Sequence, residues 1–372
     1  MREQTENAVN RSPLHSFHEQ AGGRIVDFAG WAMPLLYRGI IEEHNYTRTV
    51  CSLFDVSHMG RVHVGGRDAG RLLQWVCTRD LADMTPGMSR YAHVCKADGG
   101  ILDDVIVSRY EEYYLVVCNA SNRDKIVAWL KDHVAGLDVT IEDRTLETAM
   151  IAIQGPKAMA EVQRLLHIDL SGLKRYHFRT NVSFTFKYSV FRSGYTGEDG
   201  VEVIVPLNLV KLATPALLGM NGGEGGALIR PAGLGARDSL RLEAAMPLYG
   251  HELTEDWDSL TAGQAWCVSL DRKDFVGAEA MRRIRAEGLK RQIVGLELAG
   301  RRTARQGFKV LHEGKPVGAV TSGGLTPTVG KSIAMALVAS GCAAVGTNLA
   351  VEISGQPVDA TVVKLPFYKR AD

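Results

Sequence analysis

The sequence predicts an α+β protein of several domains that ends in an all-β unit, and three observations predict it. The chain has 372 residues, more than one hydrophobic core usually organises. Residues 61–134 run strand, helix, strands, helix, the order of a split β-α-β unit of ferredoxin-like type. After Glu287-Gly288 helical periodicity stops, and short β-type runs recur with turns between them.

Composition narrows the class. Hydrophobic residues make up 45% of the chain, enough to build buried cores and too many for a disordered one. The formal net charge of +1 implies no bulk attraction to nucleic acid or to a membrane, and neither is expected as a partner. Cys51, Cys77, Cys95, Cys118, Cys267 and Cys342 are scattered and form no C-x-x-C pair. Neither a metal site nor a disulfide framework is therefore expected, and a reducing interior fits. Residues 1–11 are polar and include Glu3 and Glu6, unlike a secretory or transit signal. No apolar run approaches a membrane span, so a cytoplasmic location is expected.

Taken in order, Ser12-Pro13 opens a first helix through Phe17. Arg24 to Phe28 alternates as a strand, and Gly30 to Pro34 reads as an apolar turn. Ile40 to Val50 is helical, and Leu53 to Ser57 returns to strand. The alternating block follows: strand Arg61 to Val64, a helix with Leu72, Leu73 and Val76 on one face, then strands at Ser89 to Cys95, Ile101 to Ser108 and Tyr113 to Cys118. Ser121 with Asp124 forms an approximate capping box before a helix whose core stripe is Ile126, Val127, Leu130 and Val134.

Gly155-Pro156 precedes a helix to Leu166, and Val182 to Phe191 is strand-rich. Gly194 to Gly200 holds three glycines, which suits positive φ or a close backbone approach. Glu202 then lies in a strand, and a solvated edge is its simplest reading. Leu207 to Leu218 reads as helix and Asn221 to Gly226 as a surface loop. Gly233 to Ala236 opens a helix carrying Arg237, Asp238, Arg241 and Glu243, spaced for ion pairs on a helix surface. The C-terminal runs, with hairpin connections at Glu313-Gly314-Lys315 and Ser354-Gly355-Gln356, suit a barrel or a sandwich. No long internal repeat is visible.

The stretch with the most chemical content is Gly99 to Val107, where Asp103 and Asp104 interrupt a run of aliphatics. Alternation places Asp104 with Leu102, Ile106 and Ser108, and Asp103 with Ile101, Val105 and Val107. Both faces are largely apolar, so at least one carboxylate sits where water is scarce. That is costly unless function requires it. The other reading, a strand that starts late and leaves both in a solvated turn, stays open. Other motifs carry less. Asp55, Ser57 and His58 are hydrolase residue types without a nucleophile elbow. Gly324 to Ser332 has the wrong spacing for a phosphate loop, and Asp238 stands where a dinucleotide fingerprint needs its third glycine.

In combination, the motifs resemble the glycine cleavage system T-protein family of aminomethyltransferases. The resemblance rests on Val26 to Trp31, Leu53 to Gly60, Gly99 to Asp104, Gly194 to Gly200, Arg230 to Asp238, Pro327 to Ala334 and Leu365 to Tyr368, in that order along nearly the whole chain. It implies a three-domain cloverleaf around a central folate channel. On this chain the central folate-binding domain would be 12–58 with 140–280. An inserted ferredoxin-like domain would be 59–139, and a C-terminal β-barrel-like domain 288–370. It implies tetrahydrofolate as co-substrate and no metal. Asp104 would be the catalytic residue, with Glu202, Tyr195, Arg237, Asn119 and Tyr368 binding the folate.

The implied reaction starts from an aminomethyl group on the lipoyl arm of H-protein. Folate N5 takes the methylene carbon, ammonia leaves, and 5,10-methylenetetrahydrofolate and dihydrolipoyl H-protein form. The implied partners are H-protein and the other glycine cleavage enzymes, with the chain itself monomeric. Lys364, Lys369 and Arg370 would suit an acidic carrier. Ser108 departs from an aromatic common in the family, Thr261 from a glutamate and Gln264 from a leucine. Two alternatives therefore stand: a folate-dependent demethylase of a small methylated amine, and a non-catalytic folate-binding relative, against which the retention of Asp104 and Arg237 argues.

Overall fold

The computed structural model describes residues 9–183, 186–210 and 228–371. The helix expected from Leu207 is helical as far as Val210; its remainder, the Asn221 to Gly226 loop and most of the polar N-terminal segment lie outside the described residues. Among the described residues the strands form a three-stranded sheet, a five-stranded sheet, a six-stranded sheet and a closed six-stranded barrel. The fold is thus mixed α and β with a C-terminal barrel, as the sequence predicts.

The five-stranded sheet runs Ser89–Cys95, Ile101–Arg109, Tyr113–Cys118, Gly60–Gly65, Thr140–Asp143, each neighbour antiparallel. Gly60–Gly65 and Ile101–Arg109 are therefore parallel with Tyr113–Cys118 between them, the split β-α-β arrangement. Helix Ala69–Val76 buries Leu72, Leu73 and Val76 on Val62, Val64, Val105 and Val116. Each such side chain contributes roughly 1.5–3 kcal/mol by leaving water. The barrel runs Arg291–Leu298, Ser332–Ala339, Lys315–Leu325, Lys309–His312, Asn348–Ile353, Gln356–Val363 and closes on itself. Closure leaves no edge strand. Two of its connections are two-residue turns with positive φ at both positions, Glu313-Gly314 and Ser354-Gly355, which match the twist of antiparallel strands.

The six-stranded sheet repeats the plan of the five-stranded one. Its order is Phe178–Ser183, Phe186–Phe191, Gly200–Pro206, Thr148–Gln154, Ser52–Asp55, Arg230–Pro231, with helix Ala158–Leu166 in the place of Ala69–Val76. The two halves meet across a local two-fold. Ser89 N–H donates to Tyr176 O while Phe178 N–H donates to Gly87 O, and Gly87 N–H donates to Arg109 O as Tyr176 N–H donates to Arg192 O. An internal repeat therefore exists where none was visible in the sequence. The halves share only turn and packing anchors, such as Gly66 with Gly155, Ala69 with Ala158, and Asp80-Leu81 with Asp169-Leu170. Between the two sheets lies a core of Phe54, Met150, Phe178 and Phe191 from one half with Leu115 and Val117 from the other.

Three local expectations are corrected. The apolar Gly30 to Pro34 stretch is mostly strand Trp31–Leu36, pairing with Arg24–Phe28 and burying Trp31 and Met33. Helix Arg123–Asp132 has no side-chain cap, because a 3-10 turn precedes it and the Asn122 side chain is drawn to Asp103. The charges after Gly233 are not a surface network. Only Asp238 is exposed, while Arg241 is buried on Glu252 at 3.0 Å and Glu243 on Arg48 at 3.0 Å.

Candidate functional site

Strand Ile101–Arg109 begins directly after the glycines, so the late-starting alternative falls: Asp103 is fully buried. The simple alternation of faces needs one correction. A bulge between Val94 and Cys95 leaves Leu102 without a register partner. Leu102 accordingly joins the core of Val105 and Val107, while Ile101 packs in a separate cluster with Leu253 and Met281. Beyond the bulge alternation holds, with Asp104 opposite His93 and Ile106 opposite Tyr91.

The two carboxyls share one clamp. Asn119 Nδ2 donates to Asp103 Oδ1 at 2.8 Å and to Asp104 Oδ1 at 2.7 Å, and Asn119 N–H donates to Asp103 Oδ2 at 2.9 Å. Asn122 Nδ2 adds a 2.6 Å bond to Asp103. On the other side the Tyr91 hydroxyl donates to Asp104 Oδ2 at 3.0 Å. Tyr91 can reach because it is a diagonal cross-strand neighbour of Asp104. Burial raises the pKa of both carboxyls; the charge of Asp104 adds to the rise at Asp103, while the amide and hydroxyl donors oppose it.

The glycine loop faces this pair. Gly197 has φ +82° and an added Cβ would lie 2.9 Å from Ala244, so both conformation and space favour glycine there. The loop presents Tyr195, whose hydroxyl donates to Pro247 O at 2.5 Å and whose pKa is raised by burial and by Asp104 among its neighbours. The Arg237 guanidinium lies 4.9 Å from the Tyr195 ring centroid. Burial lowers the Arg237 pKa, with the charges of Glu202 and Tyr195 opposing. Its Nη1 is buried without a hydrogen-bond partner. Glu202 is buried rather than on a solvated edge, and its Oε2 accepts from Ser193 Oγ at 2.5 Å. Asp104, Asn119, Tyr195 and Arg237, each half-buried, thus form one polar group with the buried Glu202, with a guanidinium N–H left over. A half-buried cation with one buried, unpartnered N–H, next to carboxylates and a phenol, can bind a flat, polar heterocycle carrying both donors and acceptors.

Tyr368 sits elsewhere. Its ring lies under the Arg48 guanidinium at 3.9 Å and its hydroxyl donates to Glu198 Oε1 at 2.8 Å. It ties the C-terminus to the outer side of the glycine loop. Asp55 and Ser57 form no triad with His58. Asp55 accepts from Ser12, from His18 Nε2 at 2.8 Å and from Ser57 N–H at 2.8 Å, while Ser57 Oγ donates to Met150 O. His58 Nδ1 has no partner, and burial pulls its pKa to about 4. No group of three or more His, Cys, Asp or Glu among the described residues could hold a metal ion. No helix among them is long and apolar enough to cross a membrane.

The three departures have local accounts. Ser108 is fully buried and bonds Ser89 across the strands at 2.7 Å. Thr261 Oγ1 donates to Asp258 Oδ2 at 2.7 Å, so the carboxylate stands three residues earlier in the same turn. Gln264 Oε1 accepts from Trp266 Nε1 at 2.9 Å, and Trp266 stacks on Tyr91 at 5.3 Å. Sequence reading missed Tyr91, Asn122 and Ser193. The available signal was the pair Tyr91 and His93, two residues apart on one strand face.

The chain is similar to known proteins along nearly its whole length. Residues 14–272 match the GCVT N-terminal domain model, and residues 291–369 the glycine cleavage T-protein C-terminal barrel domain. An aminomethyltransferase of Rubrobacter xylanophilus is 46% identical over 97% of this chain and 95% of its own length. One from Desulfitobacterium hafniense is 40% identical over 97% and 99%. The crystal structure of glycine cleavage system aminomethyltransferase T from Bartonella henselae superposes with a TM-score of 0.90 at 33% identity, over 97% of this chain and 98% of that one.

Proposed function

This chain belongs to the glycine cleavage T-protein family and is an aminomethyltransferase, and we propose that it moves the one-carbon unit of an aminomethyl group on the lipoyl arm of H-protein to tetrahydrofolate. The observation that carries the proposal is the Arg237 guanidinium with its buried, unpartnered Nη1, grouped with Glu202, Tyr195 and Asp104. A protein does not keep such a cation for packing, because an unsatisfied buried donor costs about 1–3 kcal/mol and more when charged.

The residues fit a pterin. Glu202 has one oxygen on Ser193 and the other available to a ring N–H edge, and Arg237 offers a donor to a ring carbonyl. When bound, tetrahydrofolate supplies the nitrogen nucleophile. Asp104 places negative charge beside the amine nitrogens and stabilises positive charge developing there, as fixed electrostatics rather than covalent catalysis. Asn119 and Tyr91 hold that carboxylate still. Tyr368 would act indirectly, by bracing the glycine loop. The inserted and barrel domains would be 59–139 and 288–370, around a central domain of 12–58 with 140–280. H-protein and the other glycine cleavage enzymes are the proposed partners of a monomer in the cytoplasm.

The test is ammonia release from aminomethylated H-protein in the presence of tetrahydrofolate, beside the same assay with sarcosine or dimethylglycine. Turnover of the carrier alone supports the proposal. Folate-dependent turnover of the small amines, with none from the carrier, replaces it with a demethylase.

A further inference from the structure

Asp104 is the end of a buried polar row. His93 is fully enclosed, directly opposite Asp104 in register, and two residues along the same face from Tyr91. Its Nε2 lies 3.3 Å from the Tyr91 hydroxyl and its Nδ1 2.8 Å from Ser259 Oγ. Proton inventory orients the row. The single Tyr91 hydroxyl proton goes to Asp104, so the phenolic oxygen accepts from His93 Nε2–H. A neutral imidazole then offers Nδ1 as an acceptor, which the Ser259 hydroxyl fills. Burial keeps the ring neutral, pulling its pKa to about 3. Every donor in the row points towards Asp104.

We infer that His93, with Ser259 behind it, is a positioning residue that aims and polarises the Tyr91 hydroxyl so that Asp104 is held as an oriented carboxylate. This rests on the role of Asp104 in the proposed reaction. Successive hydrogen bonds in a low-dielectric interior strengthen one another, so the imidazole makes Tyr91 a better donor. Trp266 completes the alignment by stacking on the Tyr91 ring at 17° between planes, itself held by Gln264. The other titratable groups facing the row are Asp103 beside Asp104, Tyr195 from the glycine loop, Cys267 and Cys95 at its far side, Asp258 beside Ser259, and Arg79 over the Trp266 ring. The cations nearest the row, Arg79 over the Trp266 ring at 5.8 Å and Arg237 over the Tyr195 ring at 4.9 Å, sit on the flanking aromatics, and what opposes burial at Asp104 itself is its hydrogen bonds from Tyr91 and Asn119. The anion at Asp104 therefore depends on its hydrogen-bond donors.

The test compares His93→Leu, His93→Gln and Ser259→Ala, with Asp104→Asn as reference, in pH profiles of folate-dependent ammonia release. His93→Leu should lower kcat by roughly tenfold or more, with KM for folate little changed. Its acid limb should move about one unit to higher pH, because the anion loses a polarised donor. His93→Gln, which keeps a distal N–H, should restore most of both, and Ser259→Ala should fall between. A buried histidine of purely structural use would change yield or melting temperature and leave the pH profile in place. That outcome overturns the inference. If His93→Leu does not fold, a wild-type acid limb in Ser259→Ala overturns it equally. Full activity in Asp104→Asn would instead overturn the reading of Asp104, whereas an inactive Asp104→Asn beside an unaltered His93→Leu removes only the positioning role.

Discussion

Asn119 holds Asp104 from one side, its Nδ2 2.7 Å from Oδ1, and the same nitrogen lies 2.8 Å from Asp103. The two carboxyls are coupled through one amide yet differ in their remaining company. Asp103 accepts from two further N–H groups, whereas Asp104 accepts from a tyrosine on the side of the glycine loop.

That difference predicts a split between stability and turnover. Asp104→Asn should fold normally and lower kcat by roughly a hundredfold or more, as loss of a fixed electrostatic group does. Asp103→Asn turns an acceptor into a donor among Asn119 and Asn122 N–H groups. It should destabilise by about 1–3 kcal/mol and show in the denaturant midpoint before it shows in rate. Equal midpoints for both variants would contradict this division.

Arg237 should be a residue that costs stability in the free protein. Arg237→Met removes a half-buried cation with one buried, unfilled N–H, and should raise the melting temperature, by analogy with buried charges whose removal gains about 1–4 kcal/mol. The same variant should lose the thermal shift that tetrahydrofolate gives the wild type, roughly 2.7 kcal/mol at a hundredfold excess over Kd. NAD and ATP serve as controls and should shift neither protein.

Acid sensitivity should trace to the N-terminal segment. Burial pushes the Asp55 carboxyl up, but donors from His18, Ser12 and Ser57 outweigh it and bring the pKa down to about 2. A carboxyl lowered on folding contributes stability above its unfolded pKa of about 3.8 and loses it as pH falls towards 2. His18→Ala should weaken that contribution, and its denaturation midpoint should flatten with pH between about 4 and 2 relative to wild type. A parallel pH dependence in the two proteins would rule the network out as the cause.

Arg241 should fasten the barrel to the rest of the chain. It reaches Glu252 at 3.0 Å, Asp238 at 2.8 Å and Ser322 of the barrel at 2.8 Å. Arg241→Ala leaves Glu252 buried without its partner and should cost about 3–5 kcal/mol, read by chemical denaturation.

How much of this was legible in the sequence depends on the range of the interaction. The strands around Asp103 and Asp104, the glycine loop and both two-residue barrel hairpins follow from local rules of alternation and turn chemistry. The bulge at Leu102 does not, because it arises from pairing with Val94 and Cys95 and leaves no mark in its own strand. Nor does the burial of Glu202 and Glu243, whose partners Ser193 and Arg48 come from other elements. Arg237 was legible as a motif residue, but its empty donor is visible only in three dimensions.

The local two-fold that joins Gly87 to Phe178 and Tyr176 to Ser89 has a further consequence. Two copies of one plan meeting through the same contacts in both directions is the geometry of an isologous homodimer. A homodimer must build each half of its cleft alike. Joined in one chain, the copies are free to differ: one carries the carboxylate at Asp104, and the other carries Glu202 and the loop bearing Tyr195. An asymmetric substrate can then be read differently at each end, a discrimination closed to any symmetric ancestor.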